Sequence, residues 1–176
     1  MGVNEIYNMQ SYRSGFLNFL ENIFSLFGNT IIVVLILAAY VFFVKERVKT
    51  VVHVIFLTGV LYYMTILKQI FEESRPFWTT SQIKQLEWLC PLSFGNPSGH
   101  SFVVIVLYEP IISDVLGTGP KKVGIFVWLF LSALVMMSRM YLGAHSLDQI
   151  VFGGKPDEGS TSFHTFMDQS ITSAVL

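Results

Sequence analysis

The chain is short of charge. Asp, Glu, Lys and Arg make up only 13% of its 176 residues, and the net charge is −1. Such a balance provides no general attraction to nucleic acid or to anionic lipid surfaces. Cys90 is the single cysteine, so an internal disulfide is excluded. Residues 1–15 are polar and hold no apolar core, which argues against a cleavable signal peptide and makes the first apolar run a signal anchor. No cysteine cluster and no H-E-x-x-H spacing occur, so neither a metal site nor a cofactor is expected. His53 lies about 22 Å before Lys68 along one helix, at the opposite membrane face, and His164 sits in a polar tail. Internal repeats and low-complexity tracts are missing as well.

What the chain has in quantity is apolar surface. Hydrophobic residues reach 52%, with 16 Phe, 7 Tyr and 3 Trp, and the mean hydropathy is +0.57. A soluble domain of this size needs a polar exterior, so the class is membrane protein. Runs long enough to cross a bilayer, about 20 residues each, occupy 24–44, 50–71, 98–116 and 123–142. The third carries Glu109 and Pro110, and Glu109 is expected to face the bundle there or to be protonated. A fifth apolar stretch begins at His145 and stops at Gly153-Gly154, so the chain reads as truncated at this point. The expected fold is an all-α polytopic transmembrane bundle of four full spans and a shortened fifth helix. Segment 15–23 has apolar residues at helical spacing; it reads either as an interfacial helix or as an early start of the first span.

Basic residues set the orientation. Lys45, Arg47 and Lys49 fall between the first two spans, and Lys121 with Lys122 between the third and fourth. Those loops share a side, which the positive-inside rule makes cytoplasmic. The N-terminus, segment 72–97 and residues 138–148 then face the lumen or exterior.

Three polar clusters fall on that second side, and polar groups beside membrane spans are functional candidates. Lys68 and Arg75, with Pro76 after them, lie seven residues apart and share nearly one face if the helix continues through both. Two stacked cations suit a phosphate, although snorkelling anchors are common at helix ends. Asn96-Pro97-Ser98-Gly99-His100 reads as a helix start, with Asn96 as cap and Pro97 at the first position. Free N–H groups of Ser98 and Gly99 would cradle an anion, and His100 carries a proton near neutral pH. An ordinary helix start with an incidental histidine is the plain alternative. Arg139 ends the fourth span; His145 opens the next helical stretch, with Asp148 and Gln149 at i+3 and i+4 on its face. The plain alternative there is a capped helix with an interfacial arginine. Three spans delivering cations or histidines to one membrane face make coincidence a poor account.

These residues resemble the three-part signature of the type 2 phosphatidic acid phosphatase superfamily: K-x6-R-P, P-S-G-H and S-R-x5-H-x3-D. The chain matches the first two in full and the third through His145. Its layout is similar to the glucose-6-phosphatase-like and sphingosine-phosphate phosphatase-like branch, over about residues 24–153. The resemblance implies a metal-independent phosphatase in which His145 attacks phosphorus and forms a phosphohistidine. His100 would protonate the leaving alcohol and then activate water. Lys68, Arg75, Ser98, Gly99 and Arg139 would bind the phosphate oxygens. The family's aspartate position, four after the nucleophile, holds Gln149. Asp148 is therefore favoured as orienter of His145, because a carboxylate stabilises an imidazolium better than an amide does; Gln149 is the other candidate.

The expected substrate is a phosphate monoester or diphosphate of a lipid or sugar. Membrane lipids are the expected surroundings and nucleic acid is not an expected partner. The endoplasmic reticulum or another endomembrane is the expected location, with a luminal or extracytoplasmic site. The division of the chain is a luminal N-terminal segment 1–23, a phosphatase-like transmembrane domain 24–153 and a polar tail 154–176. The rival to an enzyme is an inactive, truncated family member with a binding or regulatory role; a small transporter or scaffold would not account for the clustering.

Overall fold

The computed structural model describes residues 3–43, 47–88, 92–116 and 121–154. Lys45, Cys90, His164 and the polar tail beyond Gly154 lie outside them. All regular structure among the described residues is helical: α1 (Val3–Ser11), α2 (Gly15–Leu26), α3 (Thr30–Phe43), α4 (Arg47–Phe71), α5 (Pro76–Thr79), α6 (Gly99–Val106), α7 (Tyr108–Leu116), α8 (Lys121–Tyr141) and α9 (Leu147–Gly154). The all-α bundle expected from the hydropathy pattern is the architecture found.

Two segments are long and apolar enough to cross a bilayer alone, Thr50–Thr79 and Lys122–Tyr141. A third crossing arises if α2 and α3, bent by 49° at their junction, act as one span. Segment 15–23 thus belongs to a helix of its own, capped by the Ser14 hydroxyl, which accepts from the Leu17 N–H. That helix runs through the expected boundary at residue 23. The third expected span, 98–116, divides at Leu107 into α6 and α7, and its apolar part Gly99–Ile112 is shorter than a full crossing. Glu109 stands exposed in the first turn of α7 instead of facing the bundle, where the positive end of the helix dipole suits it.

Both breaks are repaired by neighbours, as a low-dielectric medium demands. The Tyr108 hydroxyl donates to the Phe27 carbonyl at the α2–α3 bend, 2.7 Å. The Trp128 indole N–H donates to the Val104 and Ile105 carbonyls, each 3.2 Å, just before the α6–α7 break. Around these contacts Val33, Leu57, Val103, Val104, Val106, Leu107, Tyr108 and Val135 form the core. α8 is the central element, packed on α2, α6 and α7, while α9 lies against α6. Outward-facing Phe42, Phe43, Ile55, Ile66, Phe126 and Phe130 are exposed. An apolar exterior over a packed core is the arrangement of a chain solvated by lipid, and the protein is an integral membrane protein.

Candidate active site

One end of the bundle gathers the polar residues. α4 ends at Phe71 because Glu72 takes a left-handed backbone (φ 44°), and Arg75 is extended (φ −76°, ψ 152°) ahead of Pro76. Lys68 and Arg75 therefore do not share a helical face as their spacing suggested. They converge through the turn that follows the helix. The Lys68 ammonium donates to the Phe94 carbonyl at 2.8 Å. Arg75, buried, donates to the carbonyls of Ser93 (2.7 Å) and Ala144 (3.0 Å), and its NH1 lies 3.2 Å from His145 Nε2. Arg75 thus ties the first cluster to the third directly.

The second cluster starts its helix later than expected. α6 begins at Gly99, and its cap is Ser98, whose hydroxyl accepts from the Ser101 N–H; Asn96 and Pro97 precede it. Asn96 is therefore not the cap and Pro97 is not the first helical residue. The Ser98 N–H is also committed, donating to the Gln149 carbonyl at 3.2 Å, so of the two expected cradle groups Gly99 is the one whose N–H has no helical acceptor. His100 packs on the α2–α3 bend. A Cβ added to Gly28 would come within 2.4 Å of His100 Cδ2 and 2.7 Å of its Cβ. Only glycine lets the imidazole approach that closely.

In the third cluster Arg139 is buried and held by a carboxylate that the sequence reading did not include. Glu87 accepts from Arg139 NH1 at 2.6 Å and from NH2 at 3.0 Å. Ser25 Oγ accepts from NH1 as well. His145 lies before α9, not in it, so helical spacing does not carry Asp148 or Gln149 to its side. Asp148 is exposed, and His145 Nδ1 has no hydrogen-bond partner, so in this structure Asp148 does not hold the ring. Gln149 is buried, but its amide goes elsewhere: Oε1 accepts from the Ser146 N–H (3.2 Å) and Nε2 donates to the Ser74 carbonyl (3.0 Å).

Burial holds the His145 imidazole well below the usual histidine range, with Arg75, Arg139, Lys68 and His100 adding to the effect in that order. His145 is then neutral at pH 7 with a lone pair to offer, the state a nucleophile requires. Because Arg75 donates toward Nε2, the ring proton resides on Nδ1. Among the described residues, Nδ1 of His145, Nε2 of His100 and Nε of Arg139 are buried polar atoms without hydrogen-bond partners. Buried polar groups are normally paired, and the orphans on His100 and Arg139 mark where a polar ligand belongs, while the bare Nδ1 of His145 marks a ring without an orienter.

The profile of the PAP2 superfamily matches residues 47–154. This chain belongs to the PAP2 superfamily. By family resemblance the PAP2 protein is a phosphoric ester hydrolase. Its fold is similar to the crystal structure of the first transmembrane PAP2-type phosphatidylglycerolphosphate phosphatase from Bacillus subtilis, at 21% identity and a TM-score of 0.71, over 86% of this chain and 78% of that one. It is also similar to Aquifex aeolicus LpxE, at 23% identity and a TM-score of 0.66, over 87% of each chain. At these identities the likeness is one of fold. No curated protein matches the sequence.

Several residues of this PAP2 site escaped the motif reading. Ser25, Gly28 and Glu87 touch motif residues yet carry no pattern of their own. Gly28-Asn29-Thr30 is a helix-breaking and helix-starting signal, and it was the one clue available to the bend.

Proposed function

We propose that this integral membrane protein hydrolyses a phosphate monoester or diphosphate of a lipid or sugar through a phosphohistidine on His145, without a metal. The observation that carries the reading is the 3.2 Å approach of His145 Nε2 to the Arg75 guanidinium, which sets an unprotonated nitrogen beside a phosphate-binding fork. Phosphoryl transfer spreads negative charge over the equatorial oxygens, so catalysis rests on positioning and cationic stabilisation. Lys68, Arg75 and Arg139, with the Gly99 N–H and Ser98, supply that field. His145 Nε2 forms a bond to phosphorus as the bond to the leaving oxygen breaks. His100, which takes up a proton when the anionic ester binds beside it, gives that oxygen the proton through Nε2. Water then attacks the phosphohistidine while His100 takes a proton back, freeing phosphate and restoring both rings.

Arg47 and Lys122 begin the helices that Lys68 and Arg139 end. Applied to that polarity, the positive-inside rule supports a luminal or extracytoplasmic site, and the membrane we assign is an endomembrane such as the endoplasmic reticulum. The working division remains an N-terminal segment 1–23, a phosphatase-like unit 24–153 and a tail 154–176.

The experiment is phosphate release by purified full-length protein in detergent with EDTA, using lipid phosphates, lipid diphosphates and sugar phosphates. Activity that survives chelation and vanishes in His145→Ala supports the reading. The bare Nδ1 of His145 and the exposed Asp148 favour the rival, an inactive regulatory member. Wild type and His145→Ala equally silent on every substrate would establish that rival instead.

A further inference from the structure

Glu87 is the least expected group at the site. Its carboxylate grips two nitrogens of Arg139 in a fork, 2.6 and 3.0 Å, and the pair is nearly dry, with the side chains 1% and 11% exposed. A carboxylate in that geometry occupies Arg139 as two phosphate oxygens would.

The backbone around Glu87 is fastened on both sides. The Leu86 N–H donates to the Leu142 carbonyl at 3.1 Å, just beyond α8. Asn22 on α2 then brackets the residue: its Nδ2 donates to the Leu86 carbonyl (3.1 Å), and its Oδ1 accepts from the Trp88 N–H (3.0 Å). Three residues before Glu87 the chain is pinned again, because Gln10 on α1 donates to the carbonyls of Lys84 (2.8 Å) and Tyr141 (2.9 Å) and accepts from the Lys84 N–H (3.0 Å). Leu142, Asn22 and Gln10 fix segment 84–88, the roof of the site, against α1, α2 and the end of α8 that carries Arg139. Glu87 is therefore built into the site, and the nitrogen of Arg139 it leaves open to an anion is Nε.

The consequence is one of charge. Lys68, Arg75 and Arg139 against Glu87 leave a surplus of two positive charges. A phosphate monoester carries up to about −2 near neutral pH, and a terminal diphosphate carries more. We propose that Glu87 is a specificity-determining residue that matches this site to a phosphate monoester and disfavours a diphosphate. The proposal rests on the phosphatase reading for its substrate, but its charge argument concerns anion binding alone.

The test measures the affinities of inorganic phosphate and of pyrophosphate for the detergent-solubilised full chain, in wild type, Glu87→Gln and Glu87→Asp. Wild type should bind phosphate more tightly than pyrophosphate. Glu87→Gln, which keeps an acceptor oxygen for Arg139 but not the charge, should shift the ratio toward pyrophosphate by about tenfold, the weight of one charge contact of roughly the strength expected for a partly buried pair. Glu87→Asp should keep the wild-type ratio. An unchanged ratio in Glu87→Gln overturns the proposal. Should that variant fail to fold, tighter binding of pyrophosphate by wild type overturns it equally. Anion binding with the expected ratios but no hydrolysis would defeat the phosphatase reading and leave Glu87 in its role; binding of neither anion defeats both.

Discussion

Gln149→Ala removes a side chain that joins all three motifs. Its Oε1 takes the Ser146 N–H beside His145, its Nε2 reaches the Ser74 carbonyl beside Arg75, and its own carbonyl takes the Ser98 N–H at the start of α6. The alanine keeps the third bond and loses the first two. The Ser146 N–H is buried, so leaving it unpaired costs about 1–3 kcal/mol, whereas the partly buried Ser74 carbonyl finds water for about 1 kcal/mol. A void opens as well, since the amide packs against Gly95 so tightly that a Cβ there would meet it at 2.7 Å. Taken together, about 2–4 kcal/mol should be lost, a fall of roughly 5–15 °C in Tm for a chain of this length. The loop carrying His145 would move with Ser146, and a displacement of about 1 Å costs a reaction on the order of a hundredfold. The assay pairs thermal unfolding in detergent with kcat and KM. Gln149→Glu keeps the acceptor for Ser146 while losing the donor to Ser74, so it should fall between wild type and alanine. If Gln149→Ala melts with wild type and keeps its kcat, the three motifs are not held by this residue and the reasoning fails.

Gly28→Ala should drive His100 away, because the new Cβ would crowd the imidazole near its root, where it cannot swing clear. The kcat for an alkyl phosphate should drop about a hundredfold, within the range that general acid catalysis supplies, and the drop should be smaller for a nitrophenyl phosphate, whose leaving group needs no proton. Equal losses on both substrates would assign the effect to misfolding. Asp148→Asn, at an exposed position without a bond to His145, should leave kcat and Tm within about twofold and a degree or so of wild type. A large loss of activity would restore Asp148 as orienter. Stability should depend on pH through His145. Its folded pKa lies below the unfolded value, so the unfolded chain binds the extra proton first as pH falls. The stabilisation is whole above about pH 6.5 and declines below it. Melting curves from pH 8 to 5 should fall on the acid side, and less steeply in His145→Ala. Superimposed slopes would remove His145 as the source.

The bundle and its three motifs were legible because each leaves a signal in one dimension: apolar runs for spans, and cations or histidines where those runs end. What the sequence misread came from helix ends. Lys68 with Arg75, and His145 with Asp148, were placed on common faces by a period of 3.6 residues. In each pair one member lies beyond its helix, Arg75 after the turn at Glu72 and His145 before Leu147, where that period no longer applies. Asn96 met the compositional rule for a cap, yet Ser98 took the place because its hydroxyl reaches the Ser101 N–H. Glu87 was illegible for another reason. A lone acid in an aromatic loop carries no period, and only the tertiary clamp from Asn22 and Leu142 gives it an address.

The N-terminal helices bear on how a site of desolvated cations can be held together. The family match begins at residue 47, but four residues before it reach the site or its roof: Gln10, Asn22, Ser25 and Gly28. All but Gln10 belong to α2 or to the bend after it. A straight helix through 15–43 would carry at most one of its faces to the end of α8. The 49° bend at Phe27–Asn29 lets α2 lie across that end while α3 goes on through the apolar layer. One element thereby supplies an acceptor for Arg139, a flat glycine for His100 and the bracket that seats Glu87. Cations this close repel one another in a dry site, so the motif residues need acceptors fixed from outside themselves. The break in the first span is what provides them.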